Sequence, residues 1–354
     1  MYDEAYEKIP TWETRKEDDI LDPCCDPVFK SMFTNNSDEA RAALKGFLSA
    51  IFNRKVKKIR LTPTELAKEA VSDKDSFFDV SCLFDGENEY VEIEMQGRND
   101  DDAFDRRAEY YAAHLLNHNT KKGGLWQEVP IVYQISVLNF IYDKSDSGGF
   151  SWYSMKKKNG GVLAERLNVI FIELKKMIPP QIRELLELQL KLVKDEVSNN
   201  NKSVELEKLN RELKIRINKL TALEKWCIFL SYRSNSQLQN LVKLVTLEEE
   251  SIMDADVVLS EISQDELEWR RQRAYYDNIS RIASAEDYAR RRGIAKGLEE
   301  GRAEGRQQGL QEGRAAGERS KAIEAAKKMK INGIEINIIA DCTGLSKEEI
   351  EALD

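Results

Sequence analysis

Two runs of residues with a period of two flank the tetrapeptide Asp85-Gly86-Glu87-Asn88, and this pattern narrows the fold more than any other. Residues 76–84 and 89–96 alternate as strands do when one face is buried. Asp-Gly between two such runs is a strong hairpin signal. On the first strand Phe78, Val80, Cys82 and Phe84 share a face, and Asp79 lies on the other. On the second, Val91, Ile93 and Met95 share a face, and Glu92, Glu94 and Gln96 line the opposite one. The turn sets the register. A four-residue loop over 85–88 puts Asp79 opposite Glu94, and a two-residue loop at Asp85-Gly86 puts it opposite Glu92. Either way Asp79 stands beside a carboxylate, with opposed residues roughly 4.5–5.5 Å apart. A three-residue loop with a bulge would disturb both arrangements.

Two or three carboxylates on one sheet face repel unless a cation sits between them. A hard divalent ion such as Mg²⁺ suits the place, since it takes oxygen ligands and keeps several waters. Such an ion lowers the pKa of bound water and stabilises charge on a phosphoryl oxygen. The plainer alternative is an edge hairpin whose polar face is simply solvated.

The flanking sequence indicates a mixed sheet with helices. Residues 1–20 form a polar lead, expected to be mobile. Ser37 or Asp38 caps a helix in which Ala40, Ala43, Leu44, Phe47, Leu48 and Ile51 recur at helical spacing. A short basic strand follows from Arg54. After the hairpin come a helix over 101–119 and buried strands at 129–140 and 167–174. The order is helix, three strands, helix, strand and one further strand, an α/β arrangement over 21–178. After Pro179-Pro180 only helical periodicity remains to about residue 285, as in a helical extension. Gly293, Gly297, Gly301, Gly305, Gly309, Gly313 and Gly317 then recur every four residues within 286–320. Each costs a helix roughly 1 kcal/mol against Ala, which favours a spacer or a marginal helix over a self-association helix. A small helical tail over 321–354 carries a capping box at Ser346 and Glu349.

Charge excludes one class of function. The 354 residues carry a net charge of −9, so bulk electrostatics cannot drive nucleic-acid or polybasic membrane binding. Any DNA contact must come from a local basic patch. Five cysteines without metal-ligand spacing argue against a disulfide framework or zinc finger and for a reducing compartment. The N-terminal segment is too charged for a signal peptide, and no apolar run approaches membrane-spanning length. A cytoplasmic location is expected.

Asp79 followed by Glu94-Met95-Gln96 resembles the PD-(D/E)XK nuclease signature, in the variant of the Rpn family of recombination-promoting nucleases and transposases. The segments DPVFKSMFTNN, VEIEMQ and DRRAEYYAAHLL are similar to successive blocks of that family, as are the glycine repeat and the ending IIADCTGLSKEEIEAL. The likeness covers most of the chain and is least distinct in its helical middle. It implies the restriction-endonuclease-like αβββαβ core and Mg²⁺-dependent endonucleolytic hydrolysis of DNA phosphodiesters, with Mn²⁺ as a substitute ion. Asp79 and Glu94 would be metal ligands, joined by the Met95 carbonyl, and Asp79, Glu94 and Gln96 the catalytic residues. Gln96 stands where most of the superfamily has lysine. It can orient a water or a phosphate but supplies no charge. A second metal or Lys30 could compensate, and Asp26 and Lys30 fall in a family block. The competing reading is a weakly active or inactive DNA-binding or protein-interaction module on the same fold.

Glu92 shares the acidic face and is an accessory candidate, with the solvated reading favoured. Arg54, Lys55, Lys57, Lys58 and Arg60 form a basic run, and Lys156–Lys158 form another; both could meet DNA phosphates or line a solvated edge. Arg106 and Arg107 could reach a phosphate or pair with Asp102 or Glu109. His114 and His118 lack a third ligand and read as a surface pair. The final helix is too acidic for a major groove and suits packing or homo-oligomer contacts.

Overall fold

Ser37 accepts the Ala40 N–H at 3.1 Å and so starts α2 (Asp38–Phe52), the second of two helices that precede the sheet. The first, α1 (Asp26–Thr34), buries Val28, Phe29, Met32 and Phe33 and carries Pro27 in its first turn, where a missing N–H costs nothing. The computed structural model describes residues 10–65, 78–84, 86, 88–98, 104–194 and 200–353. Residues 10–20, read from sequence as part of a mobile lead, run as turns. There Trp12 packs on the core and the Arg15 guanidinium lies 4.1 Å from its ring centre.

Six strands form one mixed sheet in the order β1-β2-β3-β4-β6-β5. They are β1 (Ile59–Leu61), β2 (Val80–Phe84), β3 (Glu89–Gln96), β4 (Ile131–Leu138), β5 (Phe150–Ser154) and β6 (Leu167–Glu173). Phe84 pairs with Glu89 and Val80 with Ile93, so the hairpin has the four-residue loop. Gly86 and Asn88 both adopt positive φ there, which those residue types tolerate. β3 and β4 run parallel, joined through α3 (Phe104–Asn119), and the regular part of β2 is shorter than the alternation indicated. Residues 76–77 of that expected strand and 101–103 of the expected helix lie outside the described residues. β5 is a short, half-exposed edge strand with no alternation to announce it.

The sheet's two faces are covered differently. Val80, Cys82, Phe84, Val91, Ile93, Met95, Ile135 and Ile172 join one large core with α1 and α2. The helices expected to form an extension close onto that same core. They are α4 (Leu174–Met177), α5 (Pro180–Lys194), α6 (Asn200–Ile217), α7 (Ala222–Tyr232), α8 (Gln239–Glu248) and α9 (Glu250–Ile262). Leu186, Leu213, Trp226, Val245 and Leu259 are all buried in it, and residues 1–279 form one compact unit. The opposite face lies under α3, where Phe104, Ala108, Ala112 and Leu115 meet Val132, Leu138, Val169 and Phe171. Phe78 belongs to this side, its ring centre 5.1 Å from that of Tyr111. The expected sharing of a face by Phe78 and Val80 is therefore corrected: the regular strand begins at Val80, and alternation does not extend back across Asp79.

The second unit covers residues 280–354. It contains the end of α10 (Glu266–Ile331), then α11 (Ile336–Thr343) and α12 (Lys347–Glu351). Ala326, Ile339, Leu345 and Ile350 form its small core, and Ser346 and Glu349 cap α12 reciprocally. The seven repeated glycines lie within α10, and no neighbouring side chain comes within 4 Å of where a Cβ would stand on any of them. Among the described residues no helix is long and apolar enough to cross a membrane.

Candidate active site

The acidic residues gather where β2 begins and β3 ends. The Asp79 N–H donates at 3.2 Å to the carbonyl of Ile93, the residue that Val80 already pairs with, so two residues of β2 meet one of β3 and the regular register stops at Val80 with Asp79 drawn in towards β3. One Asp79 carboxylate oxygen, Oδ2, accepts the Met95 N–H at 2.6 Å. This bond fixes Asp79 at the edge of β3 with only 7% of its surface exposed. A strand residue points its N–H and C=O to the same edge, so the Met95 carbonyl faces the edge that Asp79 occupies.

Asp26, in the first turn of α1, stands beside them. Burial holds the Asp79 carboxyl well above the usual range, and the hydrogen-bonding contact with Asp26, its charge and that of Glu94 add to the rise. Glu94 is pushed up to about 7 by burial, against which the Arg107 guanidinium acts. Deprotonated, Asp26, Asp79 and Glu94 carry more negative charge than the Arg107 guanidinium offsets, which is what a hard cation relieves.

The donor set fits a divalent ion as far as two carboxylates and a peptide carbonyl go. All three are hard oxygens, and such an ion completes its shell with water. Among the described residues no group of three Asp, Glu, His or Cys side chains is arranged to enclose a metal.

Gln96 and Arg107 meet. An Arg107 terminal nitrogen donates to Gln96 Oε1 at 3.1 Å, and the guanidinium lies over the Phe104 ring at 5.5 Å. Arginine has only donors, so the amide oxygen of Gln96 must face it, and the amide NH₂ remains to donate elsewhere. Gln96 is therefore a donor, not a base. Arg107, in the first turn of α3, thus sets a guanidinium against position 96. Lys30 is exposed and donates to Thr64 Oγ1 at 3.3 Å, while the Thr64 carbonyl accepts the N–H of Phe78, next to Asp79. That places Lys30 at the same end of the sheet.

Glu92 contradicts the solvated reading. Its exposure is 0%, because α3 covers this face and β4 lies alongside. Neither carboxylate oxygen has a hydrogen-bond partner, and its strand neighbour Gln134 has an unpartnered Oε1. Burial, with the Glu94 charge adding to it, raises the Glu92 pKa well above the usual range, and the nearby Ser81 hydroxyl offsets this only in part.

The basic run lies elsewhere. Arg54 forms an ion pair with Glu89, at the turn end of β3, and its guanidinium covers the rings of Phe52 and Phe84. Glu89 and Glu94 are five residues apart, roughly 16 Å along a strand. Lys55, Lys57 and Lys58 are exposed near that same end, the first two on a groove of about 770 Å³ shared with Glu249, Glu250 and Asp254. Arg106 is exposed on α3, and His114 and His118 form a ring pair on that helix, centres 6.4 Å apart. All five cysteines are unpaired.

The sequence reading missed the pairing of Arg107 with Gln96, and it missed Tyr275. A Cβ on Gly97 would lie 2.6 Å from the Tyr275 hydroxyl, so this side chain from α10 reaches the residue after Gln96. No local pattern links positions so far apart.

The family model described as PD-(D/E)XK nuclease family transposase matches residues 23–285. No curated protein and no solved structure matches the chain.

Proposed function

Because the chain belongs to the PD-(D/E)XK nuclease family transposases, we propose that it is a divalent-cation-dependent DNA endonuclease, with Mg²⁺ as its ion and Mn²⁺ as a substitute. One observation carries this reading: the Met95 N–H locks Asp79 beside Glu94, two largely buried acidic groups with raised pKa values at the end of β3. Asp79, Glu94 and the Met95 carbonyl would hold the ion. When bound, it supplies a lowered pKa for water and charge stabilisation on the phosphoryl oxygens.

The chain's own residues do the rest. Water oxygen bonds to phosphorus as the bond to the opposite ester oxygen breaks; of the two water hydrogens, one ends on the departing oxygen and the other stays with the new phosphate. The Gln96 NH₂, held by Arg107 through the amide oxygen, donates to a non-bridging phosphate oxygen. Arg107 adds positive charge behind it, in the role lysine has in most relatives. Lys30 reaches the neighbouring phosphate from its anchor on Thr64. Arg106, farther along α3, and the exposed lysines 55, 57 and 58 are assigned to the flanking duplex. A cytoplasmic location suits a DNA substrate and five unpaired cysteines.

Supercoiled plasmid incubated with Mg²⁺ or Mn²⁺ tests the proposal. Wild type should nick it, EDTA should abolish nicking, and Asp79→Ala should lose it. Equal nicking by both proteins, or by neither, sinks the enzyme and leaves the binding module.

A further inference from the structure

The base of α10 grips both loops of the candidate site. The Asp22 N–H donates to Gln272 Oε1 at 2.7 Å, and the Tyr276 hydroxyl donates to Asp22 Oδ2 at 2.6 Å. Arg98 donates to the Ile279 carbonyl at 3.1 Å, and Ser31 to Glu268 Oε2 at 2.9 Å. These bonds tie the segment leading into α1 and the segment leaving β3 to successive turns of one helix. The first turns of α10, to Ile279, are therefore held at the site.

Within this clamp Tyr275 differs from its neighbour. Tyr276 spends its hydroxyl on Asp22, whereas the Tyr275 hydroxyl has no hydrogen-bond partner among the described residues. It presses against Gly97, where any side chain would meet it at 2.6 Å. The Cys24 carbonyl is the next atom there, 3.7 Å from the same point. Burial raises the Tyr275 pKa, and the nearby Cys25, Asp26, Asp79 and Asp22 add to the rise. The phenol is thus a neutral donor placed at Gly97, the residue that follows Gln96. Glycine at 97 keeps the space that the hydroxyl fills.

We infer that Tyr275 is a substrate-positioning residue of this site, donating its hydroxyl hydrogen to a non-bridging oxygen of a DNA phosphate bound at Asp79 and Glu94. The inference rests on the nuclease reading. It extends the site to a helix outside the α/β core and sets a second neutral donor beside the Gln96 amide. Together the two donors would hold the phosphate from two directions without adding charge.

The test uses the full chain and a labelled DNA duplex, with Ca²⁺ replacing Mg²⁺ so that binding is read without cleavage. Tyr275→Phe should weaken duplex binding about tenfold or more, since a hydrogen bond to a charged group is lost. Its melting temperature and its calorimetric Ca²⁺ affinity should match wild type. Gly97→Ala, which displaces the hydroxyl, should weaken binding similarly and add little in the Tyr275→Phe background. Binding by Tyr275→Phe within twofold of wild type overturns the inference, as does a loss matched by an equal loss of Ca²⁺ affinity. No duplex binding by wild type overturns it as well. Tyr275-dependent binding without any nicking in Mg²⁺ sinks the nuclease reading and leaves the phosphate contact standing.

Discussion

Arg107 holds the Gln96 amide by its oxygen at 3.1 Å, which sets a guanidinium from α3 against the last residue of β3. In the proposed nuclease the two would together take the part that one lysine has in most PD-(D/E)XK sites. Removing the arginine frees the amide to rotate and strips the positive charge near Glu94. Arg107→Ala is expected to slow single-turnover cleavage roughly 100- to 1,000-fold, the scale of one lost transition-state donor. Gln96→Lys in that background should recover part of the rate, because it returns a cation to the same place. An unchanged rate in Arg107→Ala would remove Arg107 from the site.

Acidity should govern how strongly the ion stabilises the fold. Glu94 is raised from 4.5 to about 7, so the folded protein keeps a proton that the unfolded chain has released. Its contribution to stability is full below about pH 4.5 and is lost as the pH rises through about 7, on the order of 3 kcal/mol in all. A divalent ion displaces that proton and therefore stabilises more at high pH. Thermal melts with millimolar Mg²⁺ against EDTA should show a larger shift at about pH 8 than at about pH 5. Glu94→Gln should flatten the EDTA profile.

Glu92 offers an independent pH test away from the cation ligands' edge. Its pKa is raised by burial, so its carboxylate becomes a liability as pH rises. Glu92→Gln keeps the shape, removes the charge and lets the amide donate to Gln134 Oε1, which has no partner. The variant should match wild type in acid and melt higher at alkaline pH. Urea titrations at both pH values check this.

Arg54 should behave as a structural residue. It pairs with the nearly buried Glu89 and covers two phenylalanine rings, while its own side chain remains 41% exposed. Arg54→Ala should cost roughly 1–2 kcal/mol in chemical denaturation, mostly from Glu89 left unpaired. Cleavage per folded molecule should be nearly unchanged.

Much of this was readable from local pattern. Period-two alternation located both strands of the hairpin, and helical spacing in α2 named the six residues that are buried there. Loop length was not decidable from Asp85-Gly86, because two- and four-residue turns both use those residue types. The structure has the longer loop, with Gly86 and Asn88 both at positive φ. Alternation tells which residues share a face but not what covers it. Glu92 therefore read as solvated until α3 was seen lying over it. The same limit explains the helices after Pro180: their periodicity showed an apolar face, yet nothing local showed that it belonged to the α/β core. β5 is too short and too exposed to carry a pattern. Tyr275 and Gly97 are brought together only by tertiary folding, as are Arg107 and Gln96.

The proposed activity requires Asp79 and Glu94 to grip one small divalent ion. Calorimetric titration of Mg²⁺ into wild type and Asp79→Ala at about pH 8 measures this without requiring any knowledge of the DNA target. Saturable binding to a single site with proton release in wild type, and its loss in Asp79→Ala, is the expected result. Identical heats from the two proteins would contradict it.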